Sequence, residues 1–316
     1  VDLSSTLDLA QLRALSAAVD GGTLEAAARA LHVTPSAVSQ RLRALEAATG
    51  RVLLVRSKPV RPTASGEVLL RLARQVELLA GDALDELDAG AAPGPPGGER
   101  VQTLPIAVNA DSLGTWVLPA LAPLAGSVCF DLHREDEGRT ADLLRAGTVV
   151  AAITSDPDPV AGCSVTRLGA VRYRPTASAA FARRWFPRGP AVEALARAPV
   201  VVFDREDDLQ HRYLRRRARE PRDPAGPLDP LGPLDPPVHR VPSTADFLTA
   251  VRLGLGWGMV PDLQGGAERA EGSLVDLDPS GAVDVALHWQ QWKLRSASLD
   301  RVAAAVTAAA HRHLQR

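Results

Sequence analysis

The stretch Val33-Thr-Pro-Ser-Ala-Val-Ser-Gln-Arg-Leu-Arg-Ala-Leu-Glu46 crowds small polar groups onto the start of an amphipathic segment. Ser36, Ser39 and Gln40 can donate and accept hydrogen bonds at close range, and the Pro35 ring offers a compact apolar contact. Basic side chains surround them: Arg41 and Arg43 in the same segment, then Arg51, Arg56, Lys58 and Arg61. From Arg29 to Arg61 the chain carries seven Arg/Lys and one Asp/Glu, although the net charge of the whole chain is only −1. A local excess of this kind is the footprint of a phosphate-binding surface. For any single arginine a solvated surface charge is the plain alternative, and only the clustering argues otherwise.

These residues need elements to hold them. Leu9, Leu12, Leu15, Ala18 and Val19 recur with a helical period that stops at Gly21-Gly22. Thr23 can cap a short helix from Leu24 to Leu31, and Thr34 with Pro35 starts a third helix that runs to about Thr49 before Gly50. Two helices joined by a tight turn form a helix-turn-helix. Val38, Leu42 and Leu45 lie on one face of the third helix and are expected to be core. Val52–Val55, a turn at Arg56–Pro59 and Val60–Pro62 predict a β-hairpin wing, followed by a long helix from Thr63 to about residue 88. In that helix Leu69, Leu72, Val76 and Leu79 recur at spacings of three and four, the seam of a coiled coil. A stripe packing on the protein's own body is the alternative. The Gly/Pro-rich run 90–98 leaves little body nearby and favours dimerisation.

Beyond residue 100 strands alternate with helices: strand 104–109, helix 113–124, strand 128–132, helix 140–146 and strand 149–154. A second set comes after it, with strand 200–203, helices 209–217 and 244–253, strand 257–260, strand 283–289 and a terminal helix 299–313. This pattern predicts a parallel α/β sheet in two lobes. Residues 220–237, where Gly-Pro-Leu-Asp-Pro occurs twice, read as an irregular loop.

With 316 residues, 46% of them apolar, the chain can bury several cores. It has no run long enough for a membrane span and no signal-peptide pattern at Val1–Ala10, so the cytoplasm is the expected location. Cys129 and Cys163 are expected to be reduced structural thiols. There is no Gly-x-Ser-x-Gly elbow, phosphate-binding glycine loop or His-Glu-x-x-His helix, and His311 and His313 are two apart, on different sides of a helix. An enzyme is therefore not expected, and neither a metal nor a cofactor is called for.

The block Leu24–Glu46, with Gly50, Leu53–Arg56 and Pro62–Gly66, resembles the N-terminal domain of LysR-type transcriptional regulators. Ala107–Pro123, Glu135–Glu137, Arg167–Gly169, Val201–Asp204 and Met259–Gln264 extend the likeness toward the ArgP/LysG branch, which responds to arginine or lysine. The resemblance implies an α+β multidomain chain. Its parts would be a winged helix-turn-helix (residues 1–62), a linker helix for dimerisation (63–90), a hinge (91–100) and a two-lobed α/β effector domain (101–316) similar to type 2 periplasmic binding proteins. Lobe I would take about 101–172 and 278–316, and lobe II about 173–277. The loop 220–237 is the main departure from the family pattern. The partners implied are double-stranded promoter DNA, RNA polymerase and a second copy of the chain, as dimer or tetramer. The function implied is control of a promoter, such as that of an amino-acid exporter gene, by a small-molecule effector. A DNA-binding protein acting on replication initiation or DNA architecture without ligand control is the alternative.

A recognition helix enters the major groove by its first turns. Pro35, Ser36, Ser39 and Gln40 are thus expected at base edges, and Arg41, Arg43, Arg51, Arg56, Lys58 and Arg61 at phosphates. The effector is expected beyond the carboxyl ends of the strands, where helix N-termini present N–H groups to an anion. Ser112 and Thr115, with Thr154, Ser243 and Thr244, could hold a carboxylate, while Asp111, Glu135, Asp136, Asp204 and Asp246 could meet a cationic group. Each alone is as readily a helix cap or a surface acid.

Overall fold

Asp8 accepts the Ala10 N–H at 2.8 Å and starts α1 (Leu9–Gly21), which Gly22 ends in the left-handed conformation at φ 66°. Thr23 caps α2 (Leu24–Ala30), and Thr34 caps α3 (Pro35–Thr49) with Pro35 in its first turn. The first N–H groups of a helix have no partner within it, so these three side-chain oxygens set where each helix begins. The α2–α3 turn passes through His32 at φ 53°. Strands β1 (Leu54–Val55) and β2 (Arg61–Pro62) pair antiparallel, Leu54 opposite Pro62, as the expected wing. Helix α4 (Ala64–Asp88) comes next. The computed structural model describes residues 7–88, 101–134, 140–219 and 234–316.

The later elements are β3 (Gln102–Val108), α5 (Ala110–Ser112), a π turn (Leu113–Val117), α6 (Leu118–Leu121), β4 (Val128–Arg134), α7 (Thr140–Ala146) and β5 (Ala151–Thr154). Then come β6 (Cys163–Ser178), α8 (Ala179–Trp185), α9 (Val192–Leu195), β7 (Val200–Val202), α10 (Leu209–Arg219), β8 (Val238–Arg240) and α11 (Thr244–Leu253). The chain closes with β9 (Gly258–Pro261), α12 (Gly266–Ala270), β10 (Leu274–Asp276), β11 (Val283–Trp292) and α13 (Ala297–His313). Two compact units emerge. The first is Val1–Val108 with Leu121–Thr166 and Trp289–Ala305; the second is Asn109–Ala120 with Arg167–His288 and Val306–Arg316.

In the first unit Leu12, Leu15, Val38, Leu42, Leu45, Leu53 and Leu70 form the core of the winged head. Strand β3 lies between β4 and β5, parallel to both. Helix α4 packs on α1 and also on α7. A Cβ on Gly147 would lie 2.7 Å from the Arg71 Cα, and one on Gly81 would lie 2.6 Å from the Gln102 Nε2. The expectation that α4 has little body nearby is therefore corrected. Leu69 and Leu72 rest partly on the head's own core, Val76 is half-buried, and only Leu79 of the four seam residues is exposed, at 41%.

The second unit has a core of Val201, Phe247, Ala250, Val251, Val260 and Leu274. Strand β6 runs antiparallel to β9, with Tyr173 opposite Pro261, and to β10, with Ser178 opposite Leu274. The expected wholly parallel sheet is thus mixed. The sixteen-residue β6 escaped the sequence reading because Gly169, Arg172, Arg174 and Pro175 interrupt its apolar pattern. In the fold Arg172 pairs with Asp284 at 2.8 Å and Arg174 with Asp262 at 2.6 Å, so two charges stay on the strand with partners. The expected helix from Leu113 begins at Ala110 and passes through the π turn.

Candidate functional site

The winged head presents one polar edge. Pro35, Ser36, Gln40 and Arg43 are exposed, while Val38, Leu42 and Leu45 are buried on the opposite side of α3. At about 100° per residue, Ser36, Gln40 and Arg43 fall on one face, so Arg43 stands one turn beyond Gln40 on the same edge. Arg41 is half-buried on a flank. Ser39 is also half-buried and lines a 170 Å³ cleft with Leu42, Leu54, Arg56 and Lys58, between α3 and the wing. The Thr34 and Ser36 hydroxyls lie 2.9 Å apart, and Thr34 accepts the Ala37 N–H at 3.2 Å.

Backbone ties hold the wing at this edge. The Glu46 carboxylate at the end of α3 accepts the Leu53 N–H at 2.9 Å, and the Val60 N–H donates to the Gly22 carbonyl at 2.8 Å. Arg51, Arg56, Lys58 and Arg61 are exposed. Among the described residues none of them, nor Arg41 or Arg43, is in an ion pair. Unpaired exposed cations beside a helix edge of small polar groups can meet a phosphate backbone while that edge reads bases.

In the second unit Asp111, in α5, is half-buried. Its Oδ2 accepts the Tyr173 hydroxyl at 2.7 Å and its Oδ1 accepts the Thr244 hydroxyl at 3.2 Å. Burial pushes this carboxyl above the ordinary range; the Tyr173 and Thr244 hydroxyls pull it back and the nearby Asp207 raises it further. Asp207 is itself raised by burial, although the Phe203 and Leu209 N–H groups donate to it at 2.7 and 3.1 Å. Two hydroxyls and a second carboxylate thus surround Asp111, without a cation among them. The buried Asn109 Oδ1 and Ser112 Oγ have no partner among the described residues. Buried polar atoms left so are uncommon and ask for a reason.

The other sequence-derived residues have local duties. Thr115 bonds back to the Asp111 carbonyl at 2.6 Å. Thr154, in the first unit, is buried and accepts the Asp156 N–H at 3.1 Å. Asp204 accepts the Glu206 and Asp207 N–H groups at 2.7 and 3.0 Å, which makes a turn. Ser243 caps α11 through the Asp246 N–H, and the Asp246 side chain is exposed. Glu135 and Asp136 lie outside the described residues. Tyr173 and Asp207 were not anticipated. Tyr173 was hidden with β6, whereas Asp207 sits in the acidic run Asp204-Arg-Glu-Asp-Asp208, where its neighbour was singled out instead.

Residues 9–67 match the bacterial regulatory helix-turn-helix protein, lysR family, and residues 97–311 match the LysR substrate binding domain. The transcriptional regulator LysG of Mycobacterium tuberculosis is 42% identical over 304 residues, covering 96% of this chain and 94% of that protein. The chain belongs to the LysR family of transcriptional regulators. Solved structures agree with the assignment. ArgP from Mycobacterium tuberculosis superposes on this regulator with a TM-score of 0.82 at 41% identity, covering 98% of this chain and 99% of that one. Full-length LysG from Corynebacterium glutamicum, solved with its effector Arg bound, does so with a TM-score of 0.73 at 36% identity, covering 98% and 100%. Among the described residues of the regulator no helix is long and apolar enough to cross a membrane.

Proposed function

We propose that this regulator binds double-stranded promoter DNA through α3 and the wing, and that a basic amino acid, lysine or arginine, sets its activity. The observation that carries the ligand reading is Asp111, a half-buried carboxylate near Asp207 with hydroxyl donors and, among the described residues, no counter-cation. An ammonium or guanidinium group would supply the missing charge, and Ser112 would meet the ligand's polar end. The effector bound to the Corynebacterium LysG is of this class. The ligand acts by binding two arrangements of the protein unequally.

Pro35, Ser36, Ser39 and Gln40 read bases in this scheme, and Arg41, Arg43, Arg51, Arg56, Lys58 and Arg61 hold phosphates. A groove of 490 Å³ between α1 and α4, lined by Leu9, Leu12, Val76, Ala80 and Leu84, supports a homodimer in which each copy's α4 fills the other's groove. Leu9 and Leu84 replace Leu69 and Leu72 as the apolar contacts. The regulator works in the cytoplasm and controls a promoter such as that of an amino-acid exporter gene, where RNA polymerase is a further partner.

Two measurements test this reading. Promoter binding and transcription are followed with each of the common amino acids; a response to lysine or arginine alone is expected, and none from either removes the ligand reading while leaving DNA binding intact. Gln40→Ala is expected to weaken binding to the selected operator by about 1–3 kcal/mol, the range for one bidentate base contact, with nonspecific affinity unchanged. Equal losses on operator and scrambled DNA would remove Gln40 from base reading.

A further inference from the structure

A second group of charges sits where the winged head meets the sheet of the first unit. Asp20 on α1 pairs with Arg74 on α4. The Ser16 hydroxyl lies 3.2 Å from the Glu77 Oε2 and 3.5 Å from the Asp20 Oδ2. Asp20, Arg74 and Glu77 open onto a 280 Å³ cavity whose other walls include Gln102, Thr103 and Pro105 of β3, Asp131 of β4, Leu78 and Val150. One hydroxyl hydrogen cannot serve two carboxylates, and Arg74, the one guanidinium that lines the cavity among the described residues, pairs with Asp20 rather than Glu77. The cluster is therefore short of positive charge.

The seam beside it is costly as well. The Nε atoms of Arg71 and Arg74, the Oδ2 of Asp82 and the Oε1 of Gln102 are buried without partners among the described residues. Gln102 nevertheless donates through Nε2 to the Leu78 carbonyl at 2.9 Å, and the Asp82 Oδ1 accepts the Ser298 N–H at 3.3 Å. Each orphaned atom forfeits hydrogen bonds it would make to water if the seam opened. These losses offset part of what the contact gains when it forms.

We infer that Asp20, Arg74 and Glu77, backed by Gln102, form a proton-gated joint that docks the winged head on β3 when the cluster holds a proton and loosens when it does not. The groups acting on Glu77 are Arg74 on its own helix and Asp20 and Arg13 on α1; β4 adds Asp131, bonded to His133, and β3 contributes only neutral Gln102 and Thr103. Burial raises Glu77, which Ser16 and Arg74 partly offset, and burial also raises Asp20. Asp20 keeps 52% of its side chain in solvent, which screens its share, so Glu77 carries more of the effect. A carboxyl raised in the docked state binds its proton more tightly there than in the open state. Docking is therefore favoured at low pH and weakens as pH rises through the displaced value. Protons thus become an input to the DNA-binding head separate from the small-molecule ligand.

The test is hydrogen exchange on the full-length protein without ligand, corrected for intrinsic rates, between about pH 5 and about pH 8. Protection of residues 72–82 and 102–105 is expected to fall several-fold as pH rises, because the docked state loses the proton it holds more tightly. Glu77→Gln should hold the acid-state protection across the whole range, and Arg74→Lys should lower protection while keeping the pH dependence. Flat protection in the unaltered protein overturns the joint, as does a Glu77→Gln profile that tracks the unaltered one. Because no ligand is added, these outcomes are independent of which effector the second unit binds.

Discussion

Replacing Asp111 with asparagine is expected to abolish the response to arginine and lysine while leaving the protein folded and bound to DNA. Removing one member of a buried charge pair costs about 2–5 kcal/mol, so ligand affinity in titration calorimetry should fall by roughly 30-fold or more. The variant also separates loss of binding from loss of folding. Because burial raises Asp111, the native state holds its proton more tightly than the unfolded chain does. Stability from that proton is present at low pH and is lost as pH rises through the displaced value. At neutral pH without ligand, Asp111→Asn should therefore melt at or above the temperature of the unaltered protein, yet show no rise on adding arginine. A cationic ligand requires the ionised carboxylate, so the unaltered protein should bind it more weakly on acidification. An undiminished arginine-induced thermal shift in the variant would remove Asp111 from the ligand site.

Gly66→Ala is expected to destabilise the winged head, with the opposite sign to the usual helix substitution. Inside an exposed helix, alanine in place of glycine stabilises by about 1 kcal/mol. Gly66 lies in the first turn of α4, and a Cβ there would stand 2.0 Å from the Leu53 carbonyl oxygen and 3.3 Å from the Pro62 Cβ. That carbonyl accepts the Thr63 N–H at 2.9 Å, so it cannot swing away without breaking the link between wing and α4. Overpacking of this kind costs about 1–3 kcal/mol, and more where backbone must move. Thermal unfolding and operator binding should both worsen, since the wing carries Arg56, Lys58 and Arg61. A variant that melts higher than the parent would mean that α4 does not approach the wing so closely.

Much of the head was legible because its instructions are local. Thr23, Thr34, Pro35 and Gly50 act within a few residues of themselves, and Val38, Leu42 and Leu45 needed only the helical period to be placed in the core. The second unit was less legible because its decisive partners are remote. Tyr173 reaches Asp111 across 62 positions and Thr244 across 133, and nothing near Asp111 signals either. Asp204 is suggested as a ligand group because an acid after a strand can face a pocket, and the turn that two neighbouring N–H groups make with it depends on no such pocket. The coiled-coil seam is narrowed for a related reason. Leu69 and Leu72 have the right spacing for a partner helix, but spacing alone cannot distinguish another chain from the protein's own α1.

The π turn at Leu113–Val117 bears on how the second unit's polar residues could have arisen. Such a turn accommodates one more residue than the α-helical turn it replaces, so the residues before it are out of phase with those after it by about 100°. Trp116, Val117 and Ala120 remain buried on the later side, while Ser112 is buried and Asp111 engages Tyr173 and Thr244 on the earlier one. A single-codon deletion within Leu113–Val117 would bring the two halves back into phase and swing Asp111 off those partners without altering Tyr173 or Thr244. The position of Asp111 is therefore written partly in the length of a helix, and a gain or loss of one residue would move it where a substitution leaves the helix phase unchanged.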